Sequence, residues 1–352
     1  MNIKNLQEKI NDSEAYLIVS PENRYYLTDF SSSAGYLLIT KTEAVFLIDS
    51  RYIEAAQKSI RSCSEISLLK NFSQQLPEYL EKLGVTLLYT EAERLSVTDF
   101  EKIKKSASCV CVADNVDEKI NALRRIKTEK EKQKILAAQA IAEKAFDHIL
   151  TFIKEGVTER EIALTLDFFM LRNGAEDISF KTIAVSGKNS SMPHGVPTDK
   201  KVENGDFITM DYGAVVDGYH SDMTRTVAVG SVSSKQAEIY ETVLSAQKAS
   251  LEILKAGVSC KAADAAARDI INNAGCGEFF GHGTGHGVGI EIHEAPTLNP
   301  RSEDILKIGD VVTVEPGIYL PSEFGVRIED MAFITENSFE NLTKSPKNLI
   351  IL

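Results

Sequence analysis

The chain has 352 residues, 43% hydrophobic and 26% charged, with a formal net charge of -12. That length supports two domains with substantial cores, and the acidity argues against nucleic acid as a partner because phosphate binding wants a basic surface. The amino terminus, Met-Asn-Ile-Lys-Asn-Leu, lacks an apolar signal core and no run reaches membrane-spanning length, so a cytoplasmic protein with no membrane partner is expected. The five cysteines have no metal-binding spacing, and Cys109 and Cys111 alternate in an apolar run, as buried thiols do in a reducing compartment.

The first part of the chain reads as an α/β unit. Short apolar runs at Tyr16–Val19, Gly35–Ile39, Ala44–Ile48, Ile66–Leu69, Leu87–Tyr89 and Val110–Val112 predict strands. Helical stretches fall near Arg51–Ile60, Ser73–Lys82 and Ser96–Lys105. This region has no histidine and no catalytic constellation, which fits a capping or assembly domain over residues 1–125. A charged stretch, Asn115–Lys127, leads into the second domain, 126–352, and has helical character itself. Thr128-Glu129-Lys130-Glu131 then has the capping-box pattern, before a long helix with Ile135, Ile141, Ala145, Ile149 and Phe152 on its apolar side. Thr158-Glu159-Arg160-Glu161 repeats that pattern.

The second domain contains an internal repeat. Gly205-Asp206-Phe207-Ile208-Thr209-Met210-Asp211-Tyr212-Gly213 matches Gly309-Asp310-Val311-Val312-Thr313-Val314-Glu315-Pro316-Gly317. Upstream, Gly156 and Gly174 correspond to Gly257 and Gly275, each pair 101 residues apart. Each unit reads as helix, Gly cap, Thr or Ser cap, second helix, Gly cap, then strands. The expected architecture is a pseudo-two-fold α/β domain with its site where the equivalent strands meet. Phe207, Thr209 and Asp211 share one face by alternation, as do Val311, Thr313 and Glu315.

A carboxylate ending an apolar strand is costly unless it is paired, protonated or bound to a cation. Each copy is followed by another acid, Asp222 or Glu329. Asp217-Gly218 is a two-residue hairpin signal that sets Asp211 opposite Thr224 and Gly213 opposite Asp222, bringing Asp211 and Asp222 within reach of one cation. A loop around Pro321–Glu323 would set Glu329 opposite Glu315, without as clean a turn signal. Arg225 and Arg327 lie close enough in sequence to neutralise one or two of these acids, but four acids with histidines favour divalent metal. His148 reads as structural and His220 as a hairpin residue of open role. Gly281-His282-Gly283-Thr284-Gly285-His286-Gly287-Val288-Gly289 packs glycines around two histidines, where other backbone can approach closely, and it fits no nucleotide-binding fingerprint.

Met192-Pro193-His194-Gly195, Met210-Asp211-Tyr212-Gly213, Ser221-Asp222-Met223-Thr224-Arg225-Thr226, Gly285-His286-Gly287-Val288-Gly289, His293-Glu294, Val314-Glu315-Pro316-Gly317 and Val326-Arg327-Ile328-Glu329-Asp330 occur in family order. The chain resembles the pita-bread metallopeptidases, in the Xaa-Pro aminopeptidase and prolidase branch, with a creatinase-type N-terminal domain. The resemblance implies an α/β (α+β) fold: a creatinase-type α/β domain, then a pseudo-two-fold pita-bread catalytic domain. Creatinase shares both domains without the metal cage, so the intact acid and histidine set argues against that activity. By the resemblance, Asp222 and Glu329 bridge two divalent metal ions, Asp211 completes one site, and His286 and Glu315 complete the other. Mostly oxygen donors with one imidazole suit Mn, with Co or Zn as alternatives. The same resemblance makes Glu315 the proton shuttle and has His194 and His293 stabilise the tetrahedral intermediate. His282 is then a second layer, Thr224 supports Asp211, and Arg327 orients Glu329 or a substrate carboxylate. Proline-containing peptides and a homodimer are the implied partners.

Dedicated prolidases tend to place Arg just after the His-Glu-x-Pro segment. Here His293-Glu294-Ala295-Pro296-Thr297 is followed by Arg301 only four residues later. That departure leans towards an Xaa-Pro aminopeptidase over an Xaa-Pro dipeptidase. A non-catalytic peptide-binding member of the fold is the alternative of another class, and such members typically lose ligands that this chain retains.

Overall fold

The computed structural model describes residues 2–114 and 116–352, which fall into two units that divide between Arg124 and Arg125. The first unit is built on six strands, β1 (Glu14–Ile18), β2 (Tyr36–Thr40), β3 (Ala44–Ile48), β4 (Glu65–Leu68), β5 (Leu87–Thr90) and β6 (Val110–Ala113), in the order β4-β3-β2-β1-β5-β6. Its helices are α1 (Asn2–Gln7), α2 (Pro21–Thr28), α3 (Ile53–Ser59), α4 (Phe72–Lys82) and α5 (Val97–Ser106), and α6 (Val116–Arg125) runs up to the division, its last residue, Arg125, belonging to the second unit. The hairpin β2–β3 supplies the antiparallel centre, and β4, β5 and β6 add in parallel after crossover helices. Leu17, Leu38, Leu47, Leu76, Leu80 and Leu88 are buried together as a core.

All six expected strands form, within a residue or two of their predicted ends. Two helices have no counterpart in the sequence reading. In α1 only Ile3 and Leu6 are buried among the apolar residues, too short a stripe to show periodicity. In α2 the buried residues include Asn23 and Arg24, because Glu91 accepts from Asn23 at 2.7 Å and the Arg24 guanidinium donates to the Ser32 carbonyl at 3.0 Å. Polar residues paired at such sequence distance leave no apolar pattern. Cys111 is buried as expected, but Cys109 is only half-buried and Val110 exposed, since β6 is an edge strand. Of the charged stretch ahead of the second unit, Val116–Arg125 is helical and Asn115 lies outside the described residues.

The second unit opens with α7 (Glu129–Phe152) and α8 (Glu159–Arg172). Both begin with the expected capping boxes, Thr128 with Glu131 and Thr158 with Glu161. The strands that follow are β7 (Asp177–Ile178), β8 (Ile183–Ser186), β9 (Phe207–Tyr212), β10 (Ala214–Val216), β11 (Tyr219–His220) and β12 (Met223–Ala228). The second half repeats this with α9 (Ser234–Glu252), α10 (Cys260–Asn273), β13 (Gly285–Gly287), β14 (Glu294–Leu298), β15 (Val311–Val314), β16 (Gly317–Leu320), β17 (Phe324–Arg327), β18 (Asp330–Ile334) and β19 (Phe339–Asn341). Two sheets carry the repeat, one ordered β12-β9-β8 and the other β14-β13-β15-β18-β19.

The repeated letters have the same physical jobs in both copies. Gly156 and Gly257 have φ of 86° and 88°, and Gly205 and Gly309 both have φ of 92°, a left-handed backbone that a side chain would strain. Asp206 accepts the Glu203 amide at 3.0 Å, and Asp310 accepts the Lys307 amide at 2.8 Å, so each closes the turn into its strand. Each aspartate also takes a cation, Lys200 for Asp206 and Arg125 for Asp310. Ala142, Phe146 and Ile149 of α7 bury against Leu166 of α8 and against Met210 and Tyr212 of β9. Fully burying one such side chain stabilises by about 1.5–3 kcal/mol, so this face fixes where β9 ends and hence where Asp211 stands.

Candidate metal centre

Asp217 and Gly218 have φ of 45° and 66°, the left-handed pair of a two-residue hairpin turn. The resulting ladder is in the predicted register, with Thr224 opposite Asp211 and Met223 opposite Tyr212, and Val216 opposite Tyr219 by the turn. In the other half, Val314 pairs with Asp330 and Gly317 with Arg327, and that shared register sets Glu315 across from Glu329. The turn between β16 and β17 is made by Ser322 at φ 62°, a serine in a conformation that glycine usually supplies, which is why the sequence gives so weak a turn signal there.

These two hairpins bring the acids together. Oxygen atoms of Asp211, Asp222 and Glu329 lie within 4.8 Å of one another. His286 joins them through Nε2, 3.6 Å from Asp222 Oδ2 and 3.4 Å from Glu315 Oε1. The His286 ring is oriented by Nδ1, which lies 3.0 Å from the Gly287 carbonyl and donates to it, leaving the Nε2 lone pair facing the carboxylates. Glycines make this possible: a Cβ on Gly285 would collide with the Thr313 carbonyl oxygen of the neighbouring strand. Burial drives the His286 pKa down to about 4, so the ring is neutral and able to bind a cation.

The same burial works against the acids. It raises the Asp222 carboxyl well above the usual range, with the charges of Glu329, Asp211 and Glu315 adding to the effect. It raises Glu329 likewise, and it pushes Glu315 up to about 8 against the opposing pull of Arg327. Without further positive charge the cluster cannot be fully ionised. Asp211 Oδ1 and Glu329 Oε1 are buried and have no hydrogen-bond partner among the described residues. Two orphaned carboxylate oxygens beside a free imidazole lone pair fit a divalent cation site.

Around this cluster the partners differ from those expected. Thr224 donates to Glu329 at 2.7 Å rather than supporting Asp211, and Arg327 donates to Asp211 Oδ2 at 2.6 Å rather than to Glu329. Each bond crosses from one half of the repeat to the other, so the halves are cross-linked at their carboxylates. Tyr319, which the sequence reading missed, connects the next layer. Its hydroxyl accepts from Arg327 Nη1 at 2.8 Å and lies 2.8 Å from His282 Nε2. His282 Nδ1 lies 2.8 Å from the Gly283 carbonyl, and burial and the Arg327 charge lower its pKa to about 4. The neutral ring therefore donates from Nδ1 and accepts the tyrosine proton at Nε2. The alternation from Glu315 through Gly317 to Tyr319 was the available signal for it.

The acids form one wall of a cavity of about 1000 Å³, and His194, His293, Thr297 and Arg301 line it too. His194 and His293 are exposed to it, and the His293 ring stands edge-on to His286 with centroids 4.4 Å apart. Among the described residues the Arg301 and Lys181 side chains on the cavity wall have no ion-pair partner, whereas Arg268 is spent on Asp264. His148 stacks on Phe169 at 4.6 Å, away from the cavity lining, and His220 lies 2.8 Å from the Ser179 hydroxyl.

The model of metallopeptidase family M24 matches residues 133–336, and that of the creatinase/prolidase N-terminal domain matches residues 3–126. The chain belongs to metallopeptidase family M24. An Xaa-Pro dipeptidase of Pyrococcus horikoshii is 41% identical over 97% of this chain and 95% of its own length. Among solved structures, an Xaa-Pro dipeptidase from Bacillus anthracis is 41% identical with a TM-score of 0.96, covering 100% of this chain and 99% of that one. An X-Pro aminopeptidase from Thermotoga maritima is 36% identical with a TM-score of 0.92, covering 99% and 100%. This M24 chain is therefore a pita-bread hydrolase with a creatinase-type N-terminal domain, of a family that works with divalent metal ions. No helix among its described residues is long and apolar enough to cross a membrane.

Proposed function

We propose that the chain is an Xaa-Pro dipeptidase whose metals are held by Asp211, Asp222, His286, Glu315 and Glu329. The observation that carries this reading is the unpaired Arg301 on the wall of the cavity that contains the acids. A dipeptide ends in a carboxylate beside its proline, and that charge near an acidic cluster needs a cation to hold it. Thr297, at the position of the usual prolidase arginine, supplies none, which is why the sequence leans towards longer peptides. Arg301, with Lys181 on the same wall, makes up for it. The dipeptidases of Pyrococcus horikoshii and Bacillus anthracis that the chain resembles support the same reading, while the X-Pro aminopeptidase of Thermotoga maritima keeps the aminopeptidase as its rival.

Four carboxylates and one imidazole suit Mn, with Co or Zn as alternatives. Bound divalent ions would supply the charge that lets these acids ionise together, lower the pKa of an attacking water and polarise the scissile carbonyl. Glu315, half-buried and accepting from the Thr313 hydroxyl at 3.3 Å, would take the water's proton and pass it to the proline nitrogen. His194 and His293 face the cavity, where a ring N–H can donate to the carbonyl oxygen as it gains negative charge. Arg327 holds Asp211, and Thr224 holds Glu329, so these two residues orient carboxylates.

The test compares kcat/KM for an Xaa-Pro dipeptide and the matching Xaa-Pro-Yaa tripeptide, in the wild type and in Arg301→Ala. A charge-assisted hydrogen bond contributes about 1.5–3 kcal/mol, so the variant should lose roughly 10–100-fold on the dipeptide and little on the tripeptide. A wild type that prefers the tripeptide, with Arg301→Ala unaffected, would make the protein an Xaa-Pro aminopeptidase.

A further inference from the structure

Glu159 is fully buried and has no lysine or arginine within ion-pair distance among the described residues. Such a charge needs full hydrogen bonding, and this one has it. Glu159 Oε1 accepts from the Ser186 amide at 2.7 Å, the Ser186 hydroxyl at 3.1 Å and Asn189 Nδ2 at 3.0 Å. Oε2 accepts from the Thr198 amide at 3.0 Å, the Thr198 hydroxyl at 2.6 Å and, more distantly, Asn189 Nδ2 at 3.2 Å. Its place in the first turn of α8 adds the favourable end of the helix dipole.

All three partners belong to one stretch of chain. Ser186 ends β8, Asn189 lies in the short 3-10 turn that follows, and Thr198 closes the excursion. Between Asn189 and Thr198 lie Pro193 and His194, both on the cavity wall. Two further ties of this loop run to β17, the strand that carries Arg327. Ser190 Oγ accepts the Gly325 amide at 2.9 Å, and Arg327 Nη1 donates to the Pro193 carbonyl at 3.3 Å. The internal repeat shows that a helix start does not require this acid: the position equivalent to Glu159 is Cys260, also buried at the start of α10.

We infer that Glu159 is a positioning residue for His194, its carboxylate fixing both ends of the 186–198 loop so that the ring faces the scissile bond. The inference rests on the reading that His194 acts on the substrate. Glutamine cannot replace the acid, because each carboxylate oxygen faces a backbone N–H and the amide nitrogen of Gln would meet one of them whichever way it turned.

The test is a double-mutant cycle in the metal-loaded full chain, using Glu159→Gln, His194→Ala and the pair. Metal content is measured by elemental analysis, and the Ser186 and Thr198 amides are followed by hydrogen exchange. His194→Ala should lower kcat/KM about 10²-fold, as for loss of one transition-state donor. Glu159→Gln should lower it about 10-fold with metal content unchanged and both amides exchanging faster, and adding it to His194→Ala should cost nothing more. Asn189→Ala serves as a second variant if Glu159→Gln does not fold, with the same absence of further loss expected on the His194→Ala background. Losses that multiply in the double variant, an unchanged Glu159→Gln, or a loss of metal would each overturn the proposal. If His194→Ala alone retains wild-type kcat/KM, the role of His194 has failed and the proposal falls with it.

Discussion

The Thr224 hydroxyl donates to Glu329 at 2.7 Å, a bond across 105 residues that ties the first half of the internal repeat to the second at their carboxylates. Its counterpart runs the other way, from Arg327 of the second half to Asp211 of the first at 2.6 Å. Asp211 and Glu329 are thus each aimed by the opposite half, and the cluster exists only when both halves are in place.

Asp222→Ala should bind less than one divalent ion per chain and lose essentially all hydrolysis, because Asp222 stands within reach of Asp211, Glu329 and His286 at once. His293→Ala should keep its metal and lose roughly 10² in kcat, since that ring faces the cavity and, in the proposed mechanism, donates to the reacting carbonyl. Elemental analysis beside steady-state kinetics separates the two. A metal-free His293→Ala protein would make His293 a ligand.

Proton competition at the centre has a definite sign. Glu315 has a folded pKa of about 8 against an ordinary value of 4.5, so in the chelated protein it stays protonated while the unfolded chain ionises. Its contribution to stability is full below pH 4.5 and is lost as pH rises through about 8. Asp222 and Glu329 are shifted in the same direction. Divalent ions compete with those protons, so the gap in Tm between metal-loaded and chelated protein should widen from about pH 5 to about pH 8. A gap that does not change with pH would contradict this.

Tyr319→Phe removes one hydroxyl that accepts from Arg327 and donates to His282. A buried imidazole nitrogen is left without a partner, a loss of about 1–3 kcal/mol. Thermal unfolding should shift down by about 2–4 °C per kcal/mol for a unit of this size, with metal content unaltered. An unchanged Tm would mean that water takes over the hydroxyl's place at no cost.

Where a feature of this fold depends on neighbours in sequence, the sequence displays it. Asp217-Gly218 gives the turn, the turn gives the register, and the register sets Thr224 opposite Asp211. The caps at Thr128, Thr158 and Ser259 and the paired glycines are legible for the same reason. Features that depend on how the halves meet are not. Nothing near Thr224 tells that its hydroxyl turns to Glu329 rather than to the Asp211 it faces. Glu159 looks like an ordinary acid in a first helical turn, and only the returning loop shows what its carboxylate holds. The buried Asn23 and Arg24 of α2 hide that helix because Glu91 and Ser32, their partners, lie elsewhere in the chain.

The most direct test of the metal-dependent Xaa-Pro peptidase account is one titration. Protein stripped with a chelator is checked by elemental analysis, assayed on an Xaa-Pro peptide, then reloaded stepwise with Mn²⁺. The account predicts no hydrolysis from the stripped protein and activity that returns and saturates at about two ions per chain, as a two-metal site requires. Undiminished hydrolysis by protein that elemental analysis finds free of metal would contradict it.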